Sequence, residues 1–153
     1  MGTWIVIADG WHARILRETV RGGDLEPAVA EEIENPKARG FSRERGDDRP
    51  GRAFDPGSGS PHAMEPREDP HQREERKFAE HVARIVNEAA EKKAFERLVV
   101  VAPPRMLGDL RAALGDGAKR RLVGEVPKEL LKLPKLEFTR HVRAILDETH
   151  HPG

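Results

Sequence analysis

The sequence predicts an α/β domain, a mixed five-stranded sheet with helices on both faces. Three observations carry this reading. Two short runs, Trp4–Ala8 and Leu98–Ala102, are apolar at every position, as strands covered on both faces are. An amphipathic helix pattern lies between them, at Gln72–Lys93. An Asp9-Gly10 pair turns the chain directly after the first run.

The elements follow in order. Thr3–Ala8 (TWIVIA) is the first strand. Trp11–Val20 alternates, with Ala13 and Ile15 on one side and Leu16 and Val20 on the other, and makes its hairpin partner. Arg21-Gly22-Gly23-Asp24 forms the next turn. Leu25–Glu34 is a third strand at an edge, where Pro27 and the glutamates are tolerated, with a short helix as the alternative. From Asn35 to Pro70 the chain is polar and rich in Gly, Pro and Arg, with few isolated apolar residues. Such a stretch buries too little apolar area to offset its ordering entropy, so a long disordered loop is expected there.

Gln72–Lys93 carries Phe78, Val82, Ile85, Val86, Ala89 and Ala90 in one apolar stripe, with Asp69-Pro70 placed as cap and first turn. Glu96–Ala102 is the second buried strand. Pro103-Pro104 ends it and opens a helix over Pro104–Leu114, which Gly115 or Gly117 stops. Arg121–Val126 is a fifth strand, Pro127–Leu133 a short helix or turn, and Leu136–Glu148 the last helix. Residues 149–153 read as a flexible tail. The element order is β-β-β-α-β-α-β-α over a single domain. Right-handed crossovers between parallel strands then give sheet order 3-2-1-4-5, the ribonuclease-H-like plan.

Composition excludes several classes. The chain has no cysteine, which removes disulfide scaffolds, thiolate zinc sites and cysteine nucleophiles. No secretory signal is read in the first residues, because no basic segment precedes the apolar run and Asp9 interrupts it. No stretch reaches the ~18 apolar residues of a membrane helix, so no membrane insertion and a cytoplasmic location are expected. Lys plus Arg equals Asp plus Glu, 27 each, so total charge does not indicate a basic nucleic-acid binder. The charge is uneven, however: Asp24–Glu34 has five acids and no base, while Arg105–Arg121 and Lys128–Arg143 each have five bases and two acids. Those runs are either solvated helix faces or surfaces for phosphate or an acidic partner.

Three segments carry a family resemblance: TWIVIADGWHARIL, LVVVAPPRMLGDLRAAL and EVPKELLKLP. Together they resemble the bacterial host attachment family, described as proteins required for attachment to host cells. The resemblance covers nearly the whole chain, and APPRMLGDLR is its most specific part. It implies kinship with bacterial proteins similar to the middle domain of archaeo-eukaryotic peptide-chain release factors. In those factors a Gly-Gly-Gln tripeptide precedes the first long helix. Here the stretch reads Asp69-Pro70-His71-Gln72, so Gln72 matches while both glycines are absent. Glycine lets a backbone adopt positive φ and approach RNA closely, which proline and histidine do not.

No complete catalytic apparatus is legible. A two-metal nuclease needs converging carboxylates, and only Asp9 with Glu74, Glu75 or Glu80 offers them; a turn role explains Asp9 more simply. His62, His71, His81, His150 and His151 lack a metal-ligand spacing. Ser42, Ser58 and Ser60 lie in the polar loop, outside any nucleophile motif. No cofactor is expected. A ligand or anion site is expected where the two buried strands end side by side, built from Asp9, Gly10, Trp11, Arg14, Arg105 and Arg111. Contacts to RNA, ribosome or a protein partner are expected from Arg39, Arg43, Arg45, Gln72, Lys119, Arg120 and Arg121. The reading is a non-enzymatic binding module, with an envelope attachment factor or a hydrolase as alternatives.

Overall fold

A computed structural model describes residues 2–29, 32–36 and 69–149. The elements are β1 (Thr3–Ala8), β2 (His12–Glu18), β3 (Leu25–Pro27), β4 (Ile33–Glu34), α1 (Pro70–Glu91), β5 (Arg97–Val101), α2 (Pro104–Ala113), α3 (Asp116–Arg120), β6 (Leu122–Val126) and α4 (Lys135–Thr149). The sheet runs β3-β2-β1-β5-β6, with β4 also pairing β2. β1 is antiparallel to β2 and parallel to β5, and β5 is parallel to β6. The expected order and the central parallel pair are therefore present.

Period-two alternation explains why the central strands are apolar throughout. Trp4, Val6 and Ala8 of β1 join Leu98 and Val100 of β5 against Phe78, Val82 and Val86 of α1 and Met106 and Leu110 of α2. Ile5, Ile7, Val99 and Val101 face the other way, against Phe138, Val142, Ile145 and Leu146 of α4. Helices thus cover both faces. Ile5, Ile7, Val99 and Val101 are all 0% exposed, and full burial of each such side chain contributes about 1.5–3 kcal/mol. Phe95, also fully buried, packs on Trp4 with the ring centres 5.0 Å apart and the planes tilted by 35°.

Helix α1 starts where its capping signals lie. Asp69 Oδ1 accepts the Gln72 N–H at 2.7 Å, Gln72 Oε1 accepts the Asp69 N–H at 3.3 Å, and Pro70 occupies the first turn. At the far end Lys93 adopts φ 60, the left-handed conformation glycine usually takes after a helix.

Three expectations are corrected. The sheet has six strands rather than five. The stretch Leu25–Glu34 is not one strand: Pro27 stands opposite Leu16 and Ile33 opposite Ala13, so six steps on this side cover three on β2. The Ala28 N–H still donates to Ile15 O at 2.8 Å, so the register with β2 is lost between Ala28 and Ile33 rather than at Pro27. Neither Gly115 nor Gly117 stops α2 through a left-handed turn. Instead α2 ends in extended Leu114, Gly115 caps the unexpected short helix α3, and Asn87 of α1 holds the corner. Its Nδ2 donates to Ala113 O at 3.3 Å and its Oδ1 accepts the Gly115 N–H at 2.8 Å. Of the two readings of Pro127–Leu133, the turn is the one present, and it inserts Leu130, 3% exposed, beneath α4. Most of the polar stretch from Asn35 to Pro70, and all of the tail but Thr149, lie outside the described residues.

Candidate functional site

The two central strands end together, and a rim of polar groups forms there. Asp9 follows β1. Its Oδ1 accepts the N–H groups of Trp11 and His12, each at 2.8 Å, and its own N–H donates to His12 O at 2.9 Å. Asp9 is thus the turn residue that closes the β1–β2 hairpin. Its carboxylate also lies near enough to the Glu129 side chain, in the turn before α4, to act on that carboxyl electrostatically. Burial pushes the Glu129 carboxyl above its ordinary range and Asp9 adds to this, while Lys132 opposes it.

Across the rim, Glu75 of α1 lies over Gly10. A Cβ at Gly10 would come within 2.6 Å of the Glu75 carboxyl carbon, so glycine makes room for that side chain. Burial raises the Glu75 pKa; His71 and Arg105 pull it down, and Asp109 and Asp69 raise it. Trp11 meets the His71 ring edge-on at 6.0 Å. Asn35, 3% exposed, binds this end together: its Nδ2 donates to Gly10 O at 3.4 Å and to Glu74 O at 3.3 Å, and its backbone N–H to Trp11 O at 2.8 Å. Sequence reasoning missed Glu129 and Asn35, and weighed Glu75 only as a nuclease ligand. Their partners are far away in the chain, and no local pattern marks them.

The expected site residues separate into groups. Asp9, Gly10, Trp11 and Arg105 share the rim, with Arg105 in the field of the Glu75 carboxyl. Arg14 points to the α4 face, its guanidinium 4.4 Å from the Phe138 ring centre. Arg111 is exposed and pairs with Glu125 of β6, with Nε at 3.0 Å. Gln72 is the reciprocal arm of the α1 cap. Arg121 is tied to the backbone, Nε to Phe95 O at 3.2 Å and Nη1 to Gly117 O at 2.8 Å. Arg39, Arg43 and Arg45 lie outside the described residues.

Lys119 and Arg120 stand at the opposite end of the sheet, in the last turn of α3. Helix α3 packs on the end of α1, where a Cβ at Gly117 would lie 3.9 Å from the Ala90 Cβ. That packing brings Lys92 and Lys93, which terminate α1, to the same end. All four cations are exposed, and none has an ion pair among the described residues. Glu91 and Glu96 flank them and leave the end net positive. Each cation sits at a helix C-terminus, where the backbone dipole favours it by about 0.3–1 kcal/mol. Lys92 and Lys93 were not singled out from the sequence; the paired lysines just past a periodic helix were the available signal.

Among the described residues no three His, Asp or Glu side chains are grouped so as to hold a metal ion. No described helix is long and apolar enough to cross a membrane.

Among solved structures the chain is similar to an archaeal translation termination factor, aRF1, with 15% identity and a TM-score of 0.46. The alignment covers 96% of this chain and 39% of the factor's, so the chain spans about two fifths of that protein's length. No curated protein matches it. Residues 4–142 match the family model described as "Protein required for attachment to host cells", and the chain belongs to that family.

Proposed function

We propose that this chain is a non-enzymatic binding module that contacts RNA phosphates, on ribosomes or free, through its basic end. The observation that carries the reading is the gathering of Lys92, Lys93, Lys119 and Arg120 at one end, exposed and without ion-pair partners among the described residues. Cations already matched to carboxylates would have to give those up before meeting phosphate. These four give up only water and counterions. The rim, by contrast, surrounds Arg105 with the carboxyls of Glu75 and Asp109 and places Asp9 beside Glu129. A phosphate entering there would meet more negative than positive charge.

Co-sedimentation with ribosomes at low and high salt tests this. The protein should pellet with ribosomes at low salt and be released at high salt. The Lys92→Glu/Lys119→Glu/Arg120→Glu variant should stay in the supernatant at both. Salt-insensitive pelleting, or pelleting of the variant, would overturn the assignment.

The family's description favours a second reading, in which the module acts through protein contacts in attachment to host cells. Cell fractionation separates the two, because that role requires the protein at the cell envelope.

A further inference from the structure

Helix α4 turns Phe138, Val142, Ile145 and Leu146 towards the sheet. Its opposite face carries Leu136, Arg140, Arg143, Ala144 and Asp147, recurring at helical spacing. With Thr139 these side chains line a concavity of about 450 Å³ among the described residues. Leu136 is 68% exposed, above the 66% of Val20 and the 42% of Val123. Arg143 is engaged inside the molecule, bonded to Glu18 and to Gly23 O. Arg140 and Asp147 are exposed and have no ion pair among the described residues. The face therefore offers one available cation and one available anion, two helical turns apart.

We propose that a second copy of the chain docks on this face through antiparallel α4–α4 pairing about a two-fold axis. In an isologous interface a residue on one side of the axis meets the residue equally far on the other side. An axis between Arg143 and Ala144 puts Arg140 against Asp147 of the partner subunit, and Asp147 against Arg140 of the partner subunit. Each pair then lies about 5 Å along the helix from the axis, at 1.5 Å rise per residue. Ala144 beside the axis allows the two backbones to approach to about 8–10 Å. Parallel pairing would oppose Arg140 with its own copy and Asp147 with its own copy, so charge selects the antiparallel arrangement. A strongly acidic or strongly basic partner would satisfy only one of the two charges. A second copy satisfies both.

Sedimentation analysis of the full chain from micromolar to millimolar concentration tests the proposal. The wild type should show a monomer–dimer equilibrium. Arg140→Asp and Asp147→Arg should each weaken dimerisation about tenfold, because each creates two like-charge contacts. The double variant Arg140→Asp/Asp147→Arg should recover wild-type dimerisation, since it only exchanges the ends of each pair. Both substitutions are on the solvent face, and circular dichroism should show an intact fold in all three variants. A wild type that stays monomeric throughout would overturn the proposal. So would a dimer insensitive to the single changes, or a double variant that does not recover.

Discussion

Replacing Arg143 by methionine should cost about 3 kcal/mol of folding stability. Glu18 of β2 has a side chain only 1% exposed, and Arg143 Nη1 meets its Oε2 at 2.6 Å. The same guanidinium donates through Nη2 to Gly23 O at 2.5 Å, while the Gly22 N–H bonds Glu18 Oε2 at 3.1 Å. One side chain on α4 thus fastens the turn between β2 and β3. Removing one partner of a buried pair costs about 3–5 kcal/mol, because the other charge stays in low dielectric. Arg143 is itself 31% exposed, so water can enter the gap, and the lower figure applies. For a domain of this size the melting temperature should fall about 6–12 °C. Urea unfolding at neutral pH and micromolar concentration measures the loss. The double variant Glu18→Gln/Arg143→Met removes both charges and should regain more than half of it. A loss below about 1 kcal/mol for Arg143→Met, as for an exposed pair, would refute the reasoning.

Other substitutions probe separate links. Asp69→Ala removes both arms of the α1 cap and should lower stability by about 1 kcal/mol, visible as a lower urea midpoint; an unchanged midpoint would mean the cap bonds are replaced by water. Lys93→Gly relieves the positive φ and should raise stability by about 0.5–1 kcal/mol in the same assay. A lower midpoint would mean that the lysine's charge at the helix end outweighs its backbone strain. Glu75 and Glu129 both have raised pKa values when folded, so the native state binds protons more tightly than the unfolded chain. The stability they add is complete below the ordinary value of 4.5 and is lost as pH rises through the higher folded values. Urea midpoints measured from acid to neutral pH should therefore decline less steeply in Glu129→Gln than in the wild type; identical slopes would contradict the burial account.

The central sheet was legible because Trp4–Ala8 and Leu98–Ala102 are buried on both faces, and only an interior parallel pair tolerates such runs. Helix α1 was legible through its stripe and its Asp69-Pro70 start. The edge was harder. Leu25–Glu34 alternates well enough to read as one strand, but the change of register follows from pairing with β2, which no local window contains. Helix α3 escaped because five residues are too few to show a period. The strand ends indicated where Asp9, Gly10, Trp11 and Arg105 come together, but not the carboxyls around them. Glu75 reaches Gly10 across 65 residues, and Glu129 reaches Asp9 across 120. Those long-range neighbours make this end rich in carboxyls. Lys119 and Arg120 were read from a local charge run, whereas their neighbours Lys92 and Lys93 come from a different helix end that only packing brings close.

The salt dependence of binding to a single-stranded RNA tests the basic end most directly. Four phosphate contacts predict that log K falls with log salt at a slope of about −3, since each contact releases about 0.7 counterion from a single strand. The quadruple variant Lys92→Ala/Lys93→Ala/Lys119→Ala/Arg120→Ala should bring that slope close to zero. A flat dependence in the wild type, or an equally steep one in the variant, would contradict the assignment of RNA contact to this end of the sheet.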